Sequence, residues 1–269
     1  MKDYLKTAST LALQAGDIML KYFKVGMTHK FKEDLSIVTN ADEEINKLVI
    51  NTINKKYPKH SIIGEEESSE NKSNLVWLCD PIDGTWQYAK GIPVSVFSLA
   101  LVVKGKPQLG VVYDPFTERL LTSVKGKGAF LNGKKIKVSN RKLKDATINI
   151  DWWPECEYDV DTVMHKLSLD TSAYVLHFGS VVNAGSLVAS GQYEATVFGG
   201  TIGKSVDIAA VKVIVEEAGG KVTNLHGNEQ LYSHDVKGAI VSNGIVHSKI
   251  LKYTRELKLT KTRQHLINK

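Results

Sequence analysis

Three apolar runs separated by very short links constrain this chain most. They are VSVFSLALVV (94–103), QLGVVYD (108–114) and RLLTSV (119–124), joined by KGKP and PFTE. A parallel crossover needs a dozen or more residues, so links this short leave hairpins between antiparallel strands. Gly105, Pro107 and Pro115 supply the turn chemistry. A β-rich, hairpin-built middle is therefore expected.

Helical patterns flank it. Leu5, Ala8, Leu11, Ala12, Ala15, Ile18, Met19 and Tyr22 recur at the three-to-four spacing of an amphipathic helix. A second helix is expected from about Ala41 to Tyr57, with Ile45, Leu48, Val49 and Ile53 on one face, Asn40 or Asp42 as cap and Pro58 as stop. HKFKEDLSIVTNAD, between them, reads as a loop. HSIIGEE and LVWLCD read as short strands ending in carboxylates. After GKGAFLNGKKIKVS the pattern alternates. ATINIDWW is a strand, Asp159–Leu167 and VNAGSLVASG are helical, and YEATVF is a strand. SVDIAAVKVIVEEAGG is a helix with a Gly-Gly stop, KVTNL and GAIVSN are strands, and IVHSKILKYTREL is a last helix. This order predicts a layered α/β or α+β fold with mixed sheets. A soft boundary near Asn140–Asp145 divides residues 1–142 from 143–269, as two halves of one compact unit.

With 269 residues and 42% hydrophobic content, the chain can bury a substantial core. No apolar stretch approaches the roughly 20 residues of a membrane span, and the N-terminus is not patterned as a signal peptide. Two cysteines make no disulfide framework. A cytoplasmic protein without a membrane partner is expected. The net charge of +6 raises nucleic acid as a partner. The basic tail, Lys252–Lys269, reads instead as a solvated terminal helix, without the interleaved aromatics of a single-strand platform, so no nucleic-acid partner is expected.

The acidic residues cluster. DPIDGT (80–85) closes the apolar run LVWLC, with Pro81 and Gly84 implying a tight turn that swings both carboxylates toward one point. Two readings fit this stretch: an Asx turn with a helix cap, or a site for a hard divalent cation. Glu65 and Glu66 end a second short strand, and Asp42 and Asp207 each open a helix. Gly84 and Thr85 add backbone amides suited to an anion. Metals and amides beside a hydroxyl are what phosphoryl transfer to water requires.

GEE, DPIDGT and a helix opening as DIAA…EAGG, in this order, resemble the inositol monophosphatase family of metal-dependent, lithium-sensitive phosphatases. KEDLSIVTNAD, GVVYDPFTERLLTSVKGKGAFLNGKKIKVS and SNGIVH extend the resemblance over about Tyr4 to Leu257. The resemblance implies alternating α-β-α-β-α layers and a phosphoric monoester hydrolase acting on a small phosphorylated metabolite. It implies that Glu65, Asp80 and the Ile82 carbonyl hold one Mg²⁺, that Asp80, Asp83 and Asp207 hold a second, and that a weaker third ion rests on Glu65. Thr85 and Glu65 would orient the attacking water, and Asp42 would aim the Thr85 hydroxyl. Gly84 and Thr85 would take the phosphate, with Asp83 and Asp207 beside the substrate. Glu66 is expected as a solvated or supporting carboxylate. Lys32 pairs with site acids or stays a surface lysine. Family members are often homodimers.

The substrate half departs from the family. Its usual ring-binding glutamate is Gly200 here, its usual arginine is Leu176, and the tryptophan before the metal aspartate is Val206. Lys204 stands as either a substrate contact or an exposed lysine. Inositol monophosphate, histidinol phosphate, fructose 1,6-bisphosphate and 3′-phosphoadenosine-type nucleotides remain candidates, as does a non-catalytic metal-binding homologue. GAFLNGKK and FGGTIGKS imitate a P-loop. The first lacks the Ser or Thr for Mg²⁺ and the second lacks the first glycine, so neither is read as an NTPase.

Overall fold

A computed structural model of the chain describes residues 1–24, 29–32, 36–152, 156–200 and 205–258. Lys204, the centre of GGTIGKS and the end of the basic tail lie outside them.

The short links make hairpins as expected. β6 (Val96–Val103), β7 (Lys106–Asp114) and β8 (Arg119–Val124) pair antiparallel in sequence order. They form the middle of an eight-stranded sheet ordered β10-β9-β8-β7-β6-β5-β3-β4. Its other strands are β3 (Ser61–Gly64), β4 (Ser68–Ser69), β5 (Leu75–Asp83), β9 (Ala129–Leu131) and β10 (Lys134–Lys135). Only β3 and β5 pair parallel. A second sheet has the order β12-β11-β13-β15-β14, from β11 (Thr147–Asp151), β12 (Tyr174–Leu176), β13 (Ala195–Phe198), β14 (Lys221–Thr223) and β15 (Ala239–Ser242). The segment expected as a loop carries a small hairpin, β1 (Lys30–Phe31) with β2 (Ile37–Val38).

Three cores hold five layers together, the middle one spanning both faces of the central helix layer. Helices α1 (Lys2–Tyr22) and α2 (Asn40–Lys56) cover one face of the large sheet, with Leu11, Ile45 and Ile53 packed on Trp77, Leu99 and Val111. Two further helices, α5 (Val181–Ala189) and α6 (Ser205–Glu217), lie between the sheets. Their core takes Leu78, Ala100 and Val112 from one sheet and Val222 and Val241 from the other. α6 is buried nearly all round, as a helix between two sheets must be. On the outer face of the second sheet, α4 (Val160–Thr171) and α7 (His247–Thr254) pack on Ile148, Ile150 and Ile240. The result is the layered α-β-α-β-α arrangement. A short helix, α3 (Thr85–Ala89), follows β5 directly. No described helix is long and apolar enough to cross a membrane.

Candidate active site

β5 is the strand that positions the site. Leu78 faces the inter-sheet core while Trp77 and Cys79 face the outer one, so the strand is buried on both sides. Its end carries Asp80 and Asp83, only 2% and 8% exposed. The tight turn expected at Pro81 is not there. The strand runs on to Asp83 with a register shift against β6 between the two aspartates. Pro81, lacking an N–H, suits such an irregularity. Residues three apart on a regular strand point to opposite faces, and one extra residue cancels that opposition. Asp80 Oδ1 accepts the Ile82 amide at 3.0 Å, which braces the bulge.

The turn comes one residue later. Gly84 has φ +86°, and a Cβ there would lie 2.9 Å from the Gly179 carbonyl oxygen and 3.1 Å from Ser180 Cβ. Glycine alone fits both the backbone and the space. It starts α3 with the Thr85 hydroxyl 2.8 Å from the Ile82 carbonyl oxygen and 3.5 Å from Asp42 Oδ1. The longer distance is a loose contact for a hydroxyl.

Asp42 is fully buried in the first turn of α2. The cap is Thr39, where Asn40 or Asp42 was expected. Asp42 Oδ2 accepts the Thr39 amide at 2.8 Å and also its hydroxyl, completing a capping box. The T-x-x-D spacing in TNAD carried that signal in the sequence. Oδ1 is left turned to Thr85. Burial, then the charges of Glu65 and Glu66, push the Asp42 carboxyl up to about 7 against the pull of its Thr39 hydrogen bonds.

Glu65 is tied to β5 by its amide, which donates to the Cys79 carbonyl at 3.0 Å. Lys32 Nζ reaches over from the β1–β2 segment, 2.6 Å from Glu66 and 3.4 Å from Glu65. Lys32 and Glu66 therefore form an ion pair against the site, and neither is a free surface group.

Asp83 is held from the second half of the chain. Its Oδ2 accepts the Ser180 hydroxyl and, at 3.0 Å, the Val182 amide. Ser180 is also the N-cap of α5. Burial pushes the Asp83 carboxyl up to about 7, the charge of Asp151 adds most after that, and the Ser180 and Val182 bonds oppose both. Sequence reasoning assigned no role to Ser180 or Asp151. Ser180 had a weak signal as a serine ahead of a helical run. Asp151 had none, because only the tertiary fold sets it beside Asp83. Asp207 stands buried in the first turn of α6, between the sheets.

Among the described residues, no three or more His, Cys, Asp or Glu side chains are drawn to the spacing of a metal ion. The donor chemistry nevertheless fits one. The carboxylates of the β5 end are hard oxygen ligands, which favour Mg²⁺ or Ca²⁺ over softer metals. Burial first, and then neighbouring negative charge, raises the Asp42 and Asp83 carboxyls, and a cation bound beside them offsets both.

Comparison with known proteins places this geometry in context. The profile of the inositol monophosphatase family matches residues 1–259. Inositol monophosphatase 1 of Homo sapiens is 33% identical over 270 residues, covering 96% of each chain. The Nus factor SuhB of Pasteurella multocida is 32% identical over 250 residues, covering 90% of this chain and 91% of its own. The solved structure of a Thermotoga maritima IMPase superposes with a TM-score of 0.84 at 31% identity, over 94% of this chain and 97% of that one.

Proposed function

The chain belongs to the inositol monophosphatase family, and on that premise we propose that it is a Mg²⁺-dependent phosphomonoesterase acting on a small phosphorylated metabolite. The observation that carries the proposal is the convergence at the β5 end. There the Thr85 hydroxyl lies between the Ile82 carbonyl and Asp42 Oδ1, Asp80 and Asp83 are buried on the same strand, and the Glu65 amide bonds that strand.

Glu65, Asp80, Ile82, Asp83 and Asp207 are the residues that would hold magnesium, as two or three ions. Bound magnesium supplies the positive charge that neutralises phosphate oxygens and acidifies water. The protein's own groups position the reactants. Asp42 Oδ1 faces the Thr85 hydroxyl, so a shift of that hydroxyl from the Ile82 carbonyl toward Asp42 aims its lone pairs at a water. Glu65 takes the other side of that water. Burial raises the Asp42 carboxyl to about 7 in the metal-free site, and bound cations would lower it, leaving a carboxylate to accept the Thr85 hydroxyl. The Gly84 and Thr85 amides, at the start of α3, meet the phosphate. Lys32, paired to Glu66 and Glu65, keeps the acidic group in place before catalysis.

The site residues lie in one chain, so a homodimer, if formed, completes no part of this reading. Inhibition by Li⁺ and by excess Mg²⁺ belongs to the same proposal. The test is phosphate release from a panel of phosphomonoesters with Mg²⁺ titrated, for the wild type and Asp83→Asn. Magnesium-dependent release that Asp83→Asn reduces at least a hundredfold is expected. No release at any Mg²⁺ concentration overturns the reading in favour of a non-catalytic homologue.

A further inference from the structure

The order of the second sheet creates a ligand crevice at one strand. From β11 the chain crosses to β12 on one side, then passes back to β13 on the other, and both neighbours run parallel to β11. The first crossover passes through α4 on the outer face and the second through α5 on the inner face. Connections that leave adjacent parallel strands, here β11 and β12, toward opposite faces open a crevice beyond their carboxyl ends, where such sheets bind ligands. The residue at that end of β11 is Asp151.

Strand alternation gives its direction. Ile148 and Ile150 pack in the core under α4, so Asn149 and Asp151 face the α5 side. Asn149 shows what that face does. Its Nδ2 donates to Thr196 Oγ1 at 2.8 Å, and its Oδ1 accepts the Phe178 amide at 2.7 Å. That second bond pins the segment leading to Ser180, which holds Asp83. Asp151 lies one step further along this face. Of the charges around Asp83, that of Asp151 acts on it most strongly.

The neighbouring strand offers no competing side chain. Asp151 pairs with Phe198, and the Gly199 amide donates to the Asp151 carbonyl at 3.2 Å. Gly200 follows with φ +79°, and a Cβ there would lie 2.6 Å from the Gly238 nitrogen. The 237–238 backbone closes off position 200, so among the described residues of β11 and β13 Asp151 is the acidic side chain at this end of the strands.

We infer that Asp151 is a specificity-determining residue, whose carboxylate accepts hydrogen bonds from the leaving group of the phosphomonoester. The inference rests on the phosphatase reading above. A carboxylate is an acceptor only, so it selects hydroxyl or ammonium donors. It also repels a second phosphate, which carries like charge across the binding surface. The substrate class is a monophosphate of a polyol or an amino alcohol, not a bisphosphate.

The experiment compares kcat/KM for inositol 1-phosphate, phosphoethanolamine, fructose 1,6-bisphosphate and p-nitrophenyl phosphate, with saturating Mg²⁺. The enzymes are the wild type, Asp151→Asn and Asp151→Ser. The last ester has no donor on its leaving group, so ratios to it cancel any general loss of activity. The expected result is a fall of about tenfold or more in the ratio for the polyol or the amino alcohol, within the range set by one lost polar contact. The ratio for the bisphosphate rises several-fold in both variants. Which of the two donor substrates falls identifies hydroxyl or ammonium recognition. Melting curves check folding, and the near-isosteric Asp151→Asn decides if the serine variant is unstable. Ratios unchanged within twofold in folded Asp151→Asn overturn the inference and leave the phosphatase standing. A wild type silent on all four esters overturns the phosphatase reading and this inference with it.

Discussion

Replacing Asp42 by Asn should make the metal-free protein more stable and the enzyme far slower. In the unfolded chain the carboxyl titrates near 3.8, and in the fold it is pushed up to about 7, chiefly by burial. A raised group contributes stability that is full below the unfolded value and is lost as pH rises through the folded one. Above pH 7 the loss is the difference of about 3 units at about 1.4 kcal/mol each, or about 4 kcal/mol. At pH 5 only about a third of it has been incurred. Asparagine keeps an oxygen to accept the Thr39 amide and hydroxyl, so the capping box survives while the charge goes. Urea unfolding in EDTA should therefore show Asp42→Asn more stable than wild type, by a margin that grows by about 3 kcal/mol between pH 5 and pH 8. Added Mg²⁺ should narrow the margin by stabilising the wild type. Turnover should fall about 10²–10⁴-fold, the range for a lost proton-handling group. A stability difference that does not change with pH would refute the reasoning, because it would mean that Asp42 carries no buried-charge penalty.

Three further outcomes follow from other parts of the molecule. His247 is buried between Thr223 Oγ1 at 3.0 Å and Ser242 Oγ at 2.8 Å, and burial, then Lys221, push it down to about 4. A depressed group gives stability present above 6.5 and lost as pH falls toward 4, so His247→Asn should flatten that acid limb in pH-dependent unfolding curves. Glu194, fully buried, accepts from Ser139, Arg141 and the Thr147 amide, which ties the segment between the two sheets to the second one. Glu194→Ala leaves those donors unpaired and should cost about 3–5 kcal/mol in urea unfolding, with the folded fraction keeping its kcat. Gly84→Ala forces a Cβ into the 2.9 Å gap to the Gly179 carbonyl at a positive φ. It should lower stability by about 1–3 kcal/mol and kcat/KM by more than tenfold, read by thermal melting and phosphate release.

Local chemistry made much of this protein legible from its sequence. The short links around Gly105 and Pro115 left hairpins as the only geometry, and the periodic spacing of α1, α2 and α6 named those helices, because both signals depend on near neighbours in the chain. DPIDGT, with GEE and the aspartate opening α2, named acidic residues that the fold sets near one another, since motif spacing is local too. What stayed hidden depends on distance. The bulge that carries β5 through Pro81 is set by pairing with β6, and β12 is a three-residue edge strand too short for any period to show. Ser180 lies 97 residues along the chain from Asp83, the group it meets, Asp151 is also distant from it in sequence, and their parts arise from the crossover order around β11. The sequence by itself determined the layers and the acidic groups at the end of β5. Only the tertiary structure decided that Asp83 is held by α5, that Lys32 closes on Glu66 and that position 200 has no room for a side chain. Those are contacts between elements that no stretch of sequence contains.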